Sequence, residues 1–153
     1  LQNGRFVGVD VGEARIGVAQ VFAGMTMAVP VTTLQVSPDG SELEELVEII
    51  EAETTAAVFV GLPLLMSGKE GAAARMSRSY ARRLARRIVP IPVHLIDERL
   101  TSASAHGKLR EAGVKTRDHK QMVDQVAAQF ILQQALDLSA GNAQFAGELV
   151  IID

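Results

Sequence analysis

Three carboxylates stand in this sequence where isolated charges are least expected. Asp10 interrupts the apolar run Phe6–Val11, Glu98 follows the apolar stretch Ile91–Ile96, and Asp124 opens the row Asp124, Ala128, Ile131, Ala135 in an apolar helical segment. A buried carboxylate is costly unless it is paired or binds a cation, so such positions are candidates for a functional site. Hard oxygen ligands without cysteine or a histidine pair suit Mg²⁺ or Mn²⁺, which retain waters and also bind substrate phosphates. Two such ions about 3.5–4 Å apart hold an attacking water and stabilise the leaving oxygen of a phosphodiester. Plainer roles exist for two of the three. Asp10 could be a strand-end residue bonded to turn amides, and Asp124 a helix-dipole partner in the early turns. Asp97 and Glu98 alternate along a strand, so one of them is expected to reach a site shared with Asp10 and the other to pair with Arg99. His94, His106 and His119 lack ligand spacing and read as structural or surface residues.

The elements that must position these residues follow from periodicity. Phe6, Val7, Val9 and Val11 have the character of a strand buried on both faces. Gly8, Gly12 and Gly17 near it mark tight turns or close approach of another backbone. Gly-Glu-Ala-Arg at 12–15 reads as a turn into a second, antiparallel strand, Ile16–Val21. Met25–Leu34 is a third strand, demoted to an edge or a bend by Pro30. Ser41 and Glu44 form a capping-box pattern before an amphipathic helix with Leu43, Leu46, Val47 and Ile50 inside and glutamates outside. Ala57–Val60 is a short buried strand. A loop to Gly71 leads into a long helix bearing Met76, Tyr80, Leu84 and Ile88, stopped by Pro90. Ile91–Ile96 is the fifth strand. A helix capped by Thr101 runs through Arg110 and closes at Gly113. Another starts near Asp118 and Gln121 and ends near Leu138. Helix-connected strands imply parallel pairing and the hairpins an antiparallel part, so the expectation is a mixed five-stranded α/β sheet with helices on both faces.

At 153 residues the chain suits one domain, here 1–138, followed by a tail at 139–153 that could fray, add a strand or touch a partner. The longest apolar run, Ala56–Met66, is broken by Gly61 and Pro63 and falls short of the roughly 18 residues of a membrane span. No membrane partner is expected. With no cysteine and no basic-then-apolar leader at the start given, the expected location is the cytoplasm. A net charge of −3 argues alone against nucleic acid, but the average conceals two faces. Glutamates crowd 42–53, while Arg75, Arg78, Arg82, Arg83, Arg86 and Arg87 crowd one helix. Arg82 and Arg86, four apart, could track a phosphate backbone, or the arginines could form a solvated face near a helix C-terminus.

Four segments, G-V-D-V-G-E-A-R-I-G-V-A at 8–19, V-G-L-P-L-L-M-S-G-K-E-G at 60–71, L-I-D-E-R-L-T-S at 95–102 and M-V-D-Q-V-A-A-Q-F-I-L-Q at 122–133, resemble the motifs of the YqgF/RuvX family. These are Holliday-junction-resolvase-like proteins, also described as pre-16S ribosomal RNA nucleases. The resemblance runs in order from Phe6 to about Leu138. It implies a ribonuclease-H-like fold, catalytic and metal-binding roles for Asp10, Glu98 and Asp124, and Mg²⁺ or Mn²⁺ as cofactor. It also makes 62–71 a substrate-side loop whose Ser67 and Lys69 suit phosphate, although the same residues suit a solvent loop with a capping serine. The first motif carries Glu13 and Ala14 where Thr or Ser and Lys are frequent, leaving Arg15 as its basic residue; Arg15 and Arg99 join the substrate-binding candidates. The function implied is a metal-dependent endonuclease acting on structured nucleic acid, RNA favoured, in 5′-end processing of precursor ribosomal RNA. The rivals are a resolvase of four-way DNA junctions and a nucleic-acid-binding module without catalysis. A homodimer is a permitted assembly. A two-domain kinase or actin-like architecture shares the Asp-x-Gly start but needs more chain than this.

Overall fold

A computed structural model describes residues 4–99, 116–140 and 144–152, with side chains in the last helix from Met122 onward. Three strands meander antiparallel: β1 (Arg5–Val11), β2 (Arg15–Val21) and β3 (Val29–Gln35). Helix α1 (Ser41–Glu51), strand β4 (Thr55–Leu62), helix α2 (Ala72–Ile88) and strand β5 (Val93–Asp97) follow. Helix α3 covers Thr116–Ser139, and a two-residue β6, Glu148–Leu149, closes the described chain. The expected helix from Thr101 lies outside the described residues.

The sheet has the order β3-β2-β1-β4-β5-β6, with β1, β4 and β5 parallel and the remaining pairings antiparallel. The expected count of five strands is therefore corrected to six. The extra strand comes from the tail, where Val150 N–H donates to Val93 O at 2.8 Å. Phe145 in the same segment packs edge-on against Phe6, Phe59 and His94, so aromatic burial anchors a strand too short for its own ladder to hold. Pro30 sits as expected on an edge strand. The register slips there between Val18 and Ala19, which moves the missing donor into an irregularity.

Alternation along the central strands divides the interior into two layers. Val7, Val9 and Val11 of β1 join Val58, Val60, Val93 and Leu95 under α1 and α2. Phe59 and Ile96 instead pack with Ala128, Ile131, Leu132 and Ala135 of α3 on the other face. By the same period of two, Gly8 and Asp10 point toward α3.

Two local expectations need correction at α1. The capping box does not form: Gly40 occupies the cap position at φ 75°, without a side-chain cap bond. The Ser41 N–H donates to Asp39 Oδ1 at 3.0 Å. Nor are all the glutamates outside. Glu42 is buried, accepting from Tyr80 Oη at 2.9 Å and from the Ser37 N–H at 3.1 Å. It lies one turn before Leu46 on the buried stripe, and these two donors replace the water it loses.

Candidate active site

The site is built on a row of small residues across three strands. Asp10 pairs with Gly17 of β2, and Val9 pairs with Val60 of β4, which brings Gly61 to the level of Asp10. Asp10 thus has a glycine on each side. Over Gly17 runs the backbone of α3: a Cβ on that glycine would lie 2.0 Å from the carbonyl oxygen of Asp124. Over Gly61 lies the Glu98 carboxylate, and a Cβ there would stand 1.8 Å from its Oε2. Gly8 continues the track, its missing Cβ leaving room for Leu132 and the Ala128 carbonyl. The absence of side chains at Gly17 and Gly61 therefore admits two further carboxylates beside Asp10.

Electrostatics records this proximity. Asp10 keeps a partly exposed edge, yet its pKa is pushed up to about 8, first by burial, then by the negative charges of Glu98 and Asp124. The negative charges of Glu98 and Asp124 beside Asp10 favour either a proton on Asp10 or a cation among the three carboxylates. Their donor set, all oxygen, fits Mg²⁺ or Mn²⁺. Among the described residues, no three carboxylate or imidazole side chains stand close enough to hold an ion as they are. Asp124 is instead engaged by Arg15, whose Nε donates to its Oδ2 at 2.6 Å.

The neighbouring carboxylate takes the other course that strand alternation allows. Asp97 turns outward and forms an ion pair with Arg99 at 2.7 Å, which holds its pKa below the ordinary aspartate value, while Glu98 is buried. The Glu98 N–H donates to Leu62 O at 3.3 Å, and Gln134 of α3 donates to Asp97 O at 3.3 Å, so β4, β5 and α3 fix this segment together.

The basic candidates divide. Arg99 reaches the 63–71 loop, with Nη1 3.5 Å from Met66 O and 3.6 Å from where a Cβ would stand on Gly68. A cleft lined by Met66, Asp97, Arg99 and Gln134 lies there. Ser67 and Lys69 are exposed on the same loop, where the Lys69 N–H donates to Ser67 Oγ at 3.4 Å. Arg82 and Arg86 are exposed on α2, in the layer across the sheet from Asp124, and the structure does not bring them to the carboxylates. Their neighbours are tied elsewhere: Arg78 to Glu70 and Glu148, Arg87 to Glu44, and Arg83 over the Tyr80 ring. Sequence reasoning missed Gly61 as part of the site, although its interruption of an apolar strand was the available signal. It also missed that Arg15 faces Asp124.

Comparison with known proteins gives a consistent picture. The model of the RuvX family, described as Holliday junction resolvase, matches residues 4–138. A Frankia casuarinae protein named "Putative pre-16S rRNA nuclease" is 48% identical over 138 residues, 90% of this chain and 68% of its own length. A Nocardioides protein of the same name is 41% identical over 155 residues, covering 98% of each chain. Among solved structures, T. thermophilus RuvC in complex with Holliday junction substrate aligns over 94% of this chain and 100% of its own, with a TM-score of 0.57 and 17% identity. That likeness speaks for the fold, which is ribonuclease-H-like.

Proposed function

The chain belongs to the RuvX family, and from that premise we propose that it is a divalent-metal-dependent endonuclease that processes the 5′ end of precursor 16S ribosomal RNA in the cytoplasm. Asp10, Glu98 and Asp124 are its proposed catalytic carboxylates. The observation that carries this reading is the placement of Asp10 between Gly17 and Gly61, where Glu98 and Asp124 are the charges acting on it.

Asp10, Glu98 and Asp124 would hold Mg²⁺ or Mn²⁺, which supplies Lewis-acid polarisation of a phosphoryl oxygen and a water acidified for attack. The protein's own part is positioning. β1 fixes Asp10 in the middle of the sheet, β4 leaves room above Gly61 for Glu98, and α3 brings Asp124 down onto Gly17. Ser67, Lys69 and Arg99 stand along the edge beside Glu98 and would receive the phosphate backbone, with Arg99 held toward the loop by Asp97. Arg82 and Arg86 would contact more distant phosphates.

Asp10→Asn tests the assignment. The amide keeps the shape and removes the charge, so melting should be preserved and cleavage of labelled precursor RNA lost. Metal-dependent cleavage at the wild-type rate by the purified variant would sink the assignment. The family description makes a four-way DNA junction the second substrate to set beside the RNA.

A further inference from the structure

Arg15 is a cation bonded directly into the carboxylate group. It stands at the start of β2, two residues before Gly17 and therefore on the same face, and its turn is fixed by the Gly12 N–H donating to Arg15 O at 2.9 Å. From there the side chain reaches α3 and places Nε 2.6 Å from Asp124 Oδ2. Both side chains keep some solvent access, 28% for Arg15 and 14% for Asp124, so neither is sealed into the pair. A charge-assisted bond of this length engages one oxygen of the carboxylate that would share a cation with Asp10.

We propose that Arg15 is an internal counter-cation for Asp124, a positioning residue that competes with the divalent ion and thereby sets the protein's cation affinity. This rests on the reading that Asp10, Glu98 and Asp124 hold such an ion. In the absence of the ion, Arg15 offsets part of the repulsion among the carboxylates and keeps α3 seated. Ion binding takes over that role and frees the guanidinium, which is then available to a substrate phosphate on the β2 side of Asp10. The exchange is one of partners only, with no bond made or broken covalently. It explains why a site rich in negative charge is compatible with a stable sheet before any metal arrives.

The test is Mn²⁺ titration without nucleic acid, followed by calorimetry and by the loss of the free Mn²⁺ resonance, on wild type, Arg15→Gln and Arg15→Lys. Removing the competing charge should tighten Mn²⁺ binding roughly tenfold, the change that 1.4 kcal/mol makes. Arg15→Lys should stay closer to wild type than to the glutamine variant. Equal or weaker Mn²⁺ binding by a folded Arg15→Gln overturns the inference and leaves the metal-site reading standing, whereas no binding by any of the three overturns both. A wild-type measurement removes dependence on the variants: in ¹⁵N NMR the Arg15 Nε–H signal, assigned by its absence in Arg15→Lys, should shift when Mg²⁺ is added. A signal unchanged at saturating Mg²⁺ overturns the exchange.

Discussion

Replacing Gly61 by alanine would set a methyl group 1.8 Å from Glu98 Oε2 and 2.6 Å from Ile131 Cδ1. Carbon and oxygen do not approach closer than about 3 Å without displacement, so the carboxylate must withdraw by more than about 1 Å, whereas the isoleucine methyl can rotate aside. The two consequences differ in size. Overpacking of this kind costs about 1–3 kcal/mol, partly offset by the lower entropy of the unfolded alanine chain, which for a chain of this length is a fall of a few degrees in melting temperature. A displacement of about 1 Å at a reacting centre costs about a hundredfold in rate. Cleavage of labelled precursor RNA at saturating substrate, measured beside thermal melting, should therefore show a large loss of rate with a small loss of stability. Because the effect passes through Glu98, adding Gly61→Ala to Glu98→Gln should lower the rate little further. Wild-type cleavage by Gly61→Ala, with melting unchanged, would refute the argument that Gly61 exists to admit Glu98.

Four further outcomes are expected. Asp10, with its folded pKa raised to about 8 against an ordinary value near 3.9, adds stability that is complete below about pH 4 and is lost as the pH rises to about 8. Melting curves from pH 4 to 8 should show this loss in wild type and not in Asp10→Asn. Mn²⁺ must displace the same proton, so its affinity should rise by up to about tenfold per unit from pH 6 to 8; a pH-independent affinity would contradict this. Tyr80→Phe removes one of the two donors to buried Glu42 and should cost about 1–3 kcal/mol in urea unfolding while leaving saturated cleavage unchanged, because this pair lies in the layer away from α3. Replacing Arg82 and Arg86 together by Gln should weaken nucleic-acid binding and reduce its salt dependence by roughly one unit per lost phosphate contact, without changing the saturated rate; identical salt slopes would show that this helix face is only solvated.

The sheet and helices were legible where one physical signal dominated. Apolar runs rich in valine marked β1 and β4, a four-residue spacing marked α2, and the proline in β3 marked an edge. Asp10 and Asp124 stood out as candidates because a charge inside an apolar element needs a reason. For Glu98 alternation left a choice with Asp97, which the structure decides by turning Asp97 to Arg99 and burying Glu98. What stayed hidden depended on contacts between distant segments. Glu42 resembles its exposed neighbours until Tyr80 and Ser37 meet it, and β6 depends on Phe145 finding an aromatic pocket from β1, β4 and β5. The importance of Gly61 appears only when a side chain from another strand is seen above it. Local rules also misled at α1, where Gly40 and Asp39 took the cap that Ser41 and Glu44 suggested.

The most direct test of the central claim is incubation of the purified wild-type protein with labelled precursor 16S ribosomal RNA and a four-way DNA junction in parallel, each with Mg²⁺, Mn²⁺ or EDTA, and with Asp10→Asn beside it. The proposed function predicts cleavage of the RNA at a discrete 5′ position with either metal, none in EDTA and none by the variant. Cleavage that persists in EDTA, or in Asp10→Asn, would contradict a metal-dependent nuclease centred on Asp10, and cutting of the junction alone would move the substrate from RNA to branched DNA.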